Sequence, residues 1–135
     1  GSGPISSQAD EVLAMLSDAH RCRVMMVTTP AMTPVSETAE AADDIVESVH
    51  VNLTPIVVNK CEALVPAIDV THLSADMREA YQYARNKQSA QEDALAVLTD
   101  SLELPQLHLS RHRLNGAELI EAISGELSTA IAGLS

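Results

Sequence analysis

The stretch TPIVVNKCE, Thr54 to Glu62, constrains the fold of this chain more than any other. From Pro55 to Val58 it is apolar and rich in β-branched side chains, and it then breaks into the polar pair Asn59-Lys60. An uninterrupted apolar run of this length reads as a parallel strand buried on both faces. Open α/β sheets bind ligands at the carboxyl ends of such strands, which is where Asn59 and Lys60 stand. The segment RVMMVTTP repeats the grammar and predicts a second central strand over Val24 to Thr29, closed by Pro30. A shorter third strand is expected at Leu107 to Leu109.

Helical patterns separate these strands. Ser6 to Ala19 places Val12, Leu13, Leu16 and Ala19 on one face, and the short link to the first strand predicts that this helix lies against the sheet. A second helix is expected from Thr33 as N-cap and Pro34 at the first helical position, with Val35, Ala39, Ala42 and Val49 inward and an acidic solvated face. Cys61 to Thr71 reads as a loop packed back on the domain. Ser74 then caps a helix reaching about Leu102, whose middle, Asn86 to Asp93, is polar on nearly every side and is expected to protrude or to meet another part of an assembly. Asn115 opens the last helix, with Glu118 in the capping-box position and Leu119, Ile120, Ile123, Leu127, Ala130 and Ile131 as its apolar face. Alternating helices and strands joined by right-handed crossovers predict a three-layer α/β fold, a small parallel sheet with helices on both faces.

The length of 135 residues holds one domain with a sizeable core, expected over residues 6–135, with residues 1–5 as a tag remnant or flexible lead-in. Tyr81 and Tyr83 are the only Phe, Trp or Tyr rings, so aliphatic and methionine side chains must make that core. Nineteen acidic residues against eight basic ones give a net charge of -11, which disfavours nucleic acid and anionic membrane surfaces as partners. No apolar run approaches the roughly 20 residues that span a bilayer, and the reading is of a cytoplasmic chain without membrane insertion. Cys22 and Cys61 have no metal or redox spacing and are expected to be small buried hydrophobes. The five histidines are scattered and form no ligand set.

Four residues stand out as candidate ligand contacts. The Asn59 side-chain amide offers one donor and one acceptor edge, the complement of an adenine edge, and Lys60 can lay its stem beside a base or steer an anion. Arg111 and His112, in the loop after the third strand, can flank the same ligand. Thr28 and Thr29 bring hydroxyls to a strand terminus, and Glu37 lies near a helix amino terminus, where a carboxylate is favoured anyway. Each has a plain structural alternative: Asn59 bonding loop backbone, Lys60, Arg111 and His112 as exposed charges, and the threonines as loop caps.

Val24 to Pro30, Val35-Ser36-Glu37-Thr38, Ile56-Val57-Val58-Asn59-Lys60, the Arg85/Gln88 helix and the Leu104-Pro105 link together resemble the carboxyl half of the ArsA/Get3 family. These are anion-transporting or tail-anchored-protein-targeting ATPases, relatives of the MinD-type P-loop proteins. The resemblance implies a Rossmann-like, partial P-loop NTPase fold and ATP as the cofactor of the full-length protein. It also implies adenine recognition at Asn59, with Lys60, Arg111 and His112 beside the nucleotide. The phosphate-side half of that pattern is not found here. No GxxxxGK followed by Ser or Thr occurs; glycines stand only at positions 1, 3, 116, 125 and 133, and lysines only at 60 and 87. The family's switch aspartates and its intersubunit zinc cysteine pair have no counterpart either. The resulting expectation is the base-side half of an ATPase that binds no cofactor tightly and does not hydrolyse ATP alone. Its partners would be a missing amino-terminal half or a paralogous ATPase subunit, in a homo- or hetero-oligomer. The alternative is a non-enzymatic interaction module that docks on a P-loop ATPase or self-associates.

Overall fold

The computed structural model describes residues 3–134. They run in the order α1 (Pro4–Ser17), β1 (Val27–Thr28), α2 (Met32–Val49), β2 (Ile56–Cys61), α3 (Ala75–Ser101), β3 (Gln106–Ser110) and α4 (Gly116–Ala132). The three strands form one parallel sheet in the order β1-β2-β3. The most apolar strand is therefore the central one, because only a central strand with helices above and below can bury Ile56, Val57 and Val58 at once.

Alternation along β2 divides the core into two layers. Ile56 and Val58 face Val35 and Ala42 of α2 and Ala94 and Leu98 of α3. Val57 joins Leu107 and Leu109 of β3 on the opposite face, against Ile123, Leu127 and Ala130 of α4. Full burial of an aliphatic side chain stabilises by about 1.5–3 kcal/mol, so the first cluster, with Ile56, Leu98, Val35 and Val58 all fully enclosed, dominates. The architecture is α/β with helices on both faces of a small parallel sheet, as the alternation of elements predicts. No helix among the described residues is long and apolar enough to cross a membrane.

Several expectations are corrected. The strand read over Val24 to Thr29 shrinks to Val27–Thr28 plus an isolated bridge between Val24 and Leu53, and it lies at an edge rather than in the centre. It bonds toward β2 and the chain leading into it: Val24 N–H donates to the Asn52 carbonyl at 2.9 Å, Thr54 N–H to that of Val24 at 2.9 Å, and Val57 N–H to that of Met26 at 3.0 Å. With nothing beyond it, Val27 remains 62% exposed. The apolarity of RVMMVTTP thus marks one buried face, not two.

Helix α1 makes its main contact with α2 rather than lying on the sheet, and half of Val12 and nearly half of Leu13 stay in solvent. The tight turn in which Arg21 and Cys22 both donate to the Asp18 carbonyl sets its exit. It begins at Pro4, so part of the expected lead-in is helical, while Gly1 and Ser2 lie outside the described residues. Helix α2 is capped by Ala31 without a side-chain bond, not by Thr33, and Pro34 falls in its first turn, where its missing N–H has no intrahelical partner to lose. Helix α4 starts after Asn115 as expected, but no side-chain cap bond forms, and Ile120 is 71% exposed because the sheet covers only part of its apolar face. Cys22 and Cys61 are free and half-buried rather than fully enclosed.

The polar middle of α3 does not protrude. Gln88 and Gln91 are buried, and with Arg85 and Tyr81 they hold the loop that follows β2. Ser74 caps this helix as expected, its Oγ accepting the Met77 N–H at 3.3 Å.

Candidate functional site at the strand carboxyl ends

The site is built by one extra residue in β2. Val58 pairs with His108 and Cys61 with Ser110, so Asn59 and Lys60 together oppose Leu109 alone. Such a bulge re-aims the side chains that follow it. Cys61 returns to the Ile56–Val58 face and packs on the α2–α3 cluster, where burial raises its thiol pKa. Lys60 takes a left-handed backbone, φ 63°, which a β-carbon disfavours, and the Asn59 Oδ1 accepts the Lys60 N–H at 2.8 Å to hold the turn. The loop-bonding role considered for Asn59 is therefore occupied by its oxygen. Its Nδ2 makes no hydrogen bond among the described residues.

Two hollows open beside this bulge. One, of about 390 Å³, lies between β1 and α2 and is lined by Thr28, Thr29, Glu37, Thr38, Asn59 and Lys60. Thr28 is buried and its hydroxyl turns to the Thr29 carbonyl at 3.4 Å, while Thr38 is tied to the Pro34 carbonyl at 2.7 Å. The second, of about 420 Å³, is lined by Thr29, Lys60, Glu62, Lys87, Gln91 and Arg111, with the α2 amino terminus at its rim. Lys60 and Thr29 form the wall between the two.

Glu62 is the hub of the second hollow. Its Oε1 accepts from Lys87 Nζ at 2.6 Å and from Arg111 Nε at 2.7 Å. These partners, the Lys87 hydrogen bond first, hold the carboxyl pKa below its ordinary value. The backbone is fixed as well: Glu62 N–H donates to Gln91 Oε1 at 2.7 Å, and Arg111 N–H donates to the Cys61 carbonyl at 2.8 Å. Val65 N–H donates to Gln88 Oε1 at 2.9 Å, and Arg85 Nη1 reaches the Val65 carbonyl at 3.0 Å. The mouth of the site thus rests on α3 and on the β3–α4 loop together.

The four residues singled out from sequence are not brought into one pocket. Asn59 and Lys60 share the first hollow, and Lys60 and Arg111 share the second. His112 turns the other way: its side chain is 19% exposed, with Nε2 3.2 Å from Glu126 Oε2 on α4, close enough for a charge contact but without hydrogen-bond alignment. Glu126 instead accepts the Ser110 N–H at 2.9 Å, and its pKa is lowered chiefly by its bonds to Ser110. A larger, open groove of about 720 Å³ along α4 is lined by Glu118, Glu121 and Glu126 but holds none of Asn59, Lys60 or Arg111. Among the described residues no group of three or more His, Cys, Asp and Glu side chains is placed to hold a metal ion.

Sequence reasoning missed Glu62, Lys87 and Gln91. Lys87 and Gln91 lie at an interval of four on α3, which is one helical face, and Glu62 is the last residue of the pivotal motif. That interval was the available signal, masked by the uniform polarity of Asn86 to Asp93. No protein-family model matches this sequence, and no curated protein matches it.

Proposed function

We propose that this chain is the base-side half of a nucleotide-binding α/β ATPase of the ArsA/Get3 kind, with a Rossmann-like, partial P-loop fold. The observation that carries the reading is Asn59. The bulge fixes it at the carboxyl end of the central strand, with its oxygen engaged by the Lys60 amide and its Nδ2 free at the hollow between β1 and α2. A free amide donor beside a second acceptor lone pair suits the edge of an adenine ring. Lys60 and Thr29 border the same space, so a bound nucleoside would touch both. Arg111 lies in the adjoining hollow, and His112, engaged with α4, drops out of the ligand set.

Hydrolysis is assigned to the assembled protein and not to this polypeptide, because γ-phosphate transfer needs a phosphate cradle and a magnesium site, and the sequence supplies no glycine-rich phosphate loop. The missing amino-terminal half, or a paralogous ATPase subunit, would provide both. Isothermal calorimetry with adenosine tests the base reading. Saturable binding that Asn59→Ala weakens by about 5- to 100-fold is expected, since an unsatisfied polar partner is worth roughly 1–3 kcal/mol. Binding that Asn59→Ala leaves unchanged contradicts it.

The alternative, a non-enzymatic module that docks on a P-loop ATPase or on its own copy, is favoured by the free edge of β1, where Met25 and Val27 stay exposed. An unpaired parallel edge is a template for another strand. Sedimentation analysis separates the readings: a stable homodimer indifferent to adenosine supports the module, and a monomer that binds adenosine supports the ATPase half.

A further inference from the structure

The second hollow collects positive charge in a strongly acidic protein. Lys60, Lys87 and Arg111 come from β2, α3 and the β3–α4 loop, and Glu62 is the sole carboxylate among the lining residues. Three of only eight basic side chains converge here, against nineteen acidic ones in the chain. Were this merely an internal ion cluster, the charges would be matched. Instead, Glu62 answers two cations through one oxygen, Arg111 contributes only Nε to it, and the Lys60 ammonium has no ion-pair or hydrogen-bond partner among the described residues. The surplus is thus an uncommitted guanidinium fork and a free ammonium. Lys60 is held there by a strained left-handed backbone at the bulge.

We propose that this hollow is a binding site for a phosphate group, free or carried on a small molecule, held by Lys60, Lys87 and Arg111. Lys87 Nζ and the Arg111 guanidinium converge on the same carboxylate oxygen, so one tetrahedral oxyanion can bridge the remaining N–H donors of Lys87 and the η nitrogens of Arg111. The free η nitrogens of Arg111 offer the fork that matches phosphate oxygens. A dianion matches the excess of two positive charges better than a carboxylate does. The α2 amino terminus at the rim adds the positive end of its dipole. The site lacks the encircling backbone amides of a phosphate loop and is assigned binding, not phosphoryl transfer. It does not rest on the adenine reading, which concerns the neighbouring hollow.

The test is amide NMR of the intact chain titrated with sodium phosphate at low ionic strength, against sodium chloride at matched ionic strength. Saturable shifts at Lys60, Glu62, Gln91 and Arg111 are expected with phosphate alone. Lys60→Gln, which removes an ammonium with no hydrogen bond or ion pair among the described residues, should weaken binding about 5-fold or more, as should Arg111→Gln. Glu62→Gln should tighten it, because a competing negative charge is removed. Adenosine monophosphate forms the second arm. Tighter binding than phosphate, with shifts extending to Asn59, identifies a nucleotide phosphate as the occupant, whereas equal binding identifies free phosphate. Shifts reproduced by chloride, shifts that map elsewhere, or equal affinity of the Lys60→Gln and parent proteins would overturn the proposal. Adenosine without phosphate still tests Asn59 separately, so failure here leaves the base reading standing.

Discussion

Gln91 clamps Glu62 by its backbone: the Glu62 N–H donates to Gln91 Oε1 at 2.7 Å, and Gln91 Nε2 faces the Glu62 carbonyl at 3.5 Å. A buried glutamine amide thus replaces the strand partner that Glu62 loses where β2 ends. Gln91→Leu keeps the volume but leaves a peptide N–H unpaired, and destabilisation by about 1–3 kcal/mol is expected. Urea denaturation measures it, and exchange at the Glu62 amide should accelerate in the same variant. A change within about 0.5 kcal/mol, the range of ordinary surface substitutions, contradicts the clamp.

The ion cluster makes stability depend on pH in a stated direction. The folded pKa of Glu62 lies below the ordinary value of 4.5, so the unfolded chain binds more protons in the window between the two. The stabilisation from Glu62 is complete above the unfolded value and is lost as pH falls through the folded one. Stability of the parent relative to Glu62→Gln should therefore be largest near neutrality and narrow below about pH 4.5. Glu126→Gln should behave alike, since Ser110 depresses that carboxyl too. A parent–variant difference constant from pH 7 to about pH 3 contradicts the assignment.

Lys60 holds its charge at a conformational penalty. A left-handed backbone costs a residue with a β-carbon roughly 1–2 kcal/mol that glycine escapes. Lys60→Gly should therefore raise the unfolding midpoint in urea while removing a cation from the strand ends. A gain in stability together with weaker phosphate binding is the expected signature of a residue kept for its ligand. Loss of stability would show that the lysine stem, not its charge, matters here.

Two apolar residues that look alike in sequence separate in the fold. Leu98 of α3 is fully buried against α2 and β2, and Leu98→Ala should cost about 2–5 kcal/mol. Val27 sits in the edge strand with one face open, and Val27→Thr should stay within about 0.5 kcal/mol. Thermal melts of both variants check this directly.

That contrast marks how far the sequence could be read. The run Ile56-Val57-Val58 specified a central parallel strand because three consecutive buried residues require cover on both faces, and the alternation of helices around it gave the layers. Val24 to Thr29 carried the same signal but lies at the edge, since apolar composition does not reveal whether another strand stands alongside. Asn59 and Lys60 were legible as the polar end of a strand. The division of Asn59 and Arg111 between two hollows that only Lys60 joins, and the turn of His112 toward α4, were not, because a bulge depends on the β3 register, which is set far away in sequence. The Glu62, Lys87 and Arg111 cluster joins three elements and has no local spacing to announce it.

Residue-resolved NMR titration with adenosine tests the proposal that ligand recognition is organised at the β2 bulge. The prediction is a saturable set of amide shifts at Thr28, Thr29, Asn59 and Lys60, lost in Asn59→Ala while the remaining spectrum is unchanged. Shifts confined to the acidic groove along α4, or no saturable shift anywhere in the chain, would contradict it.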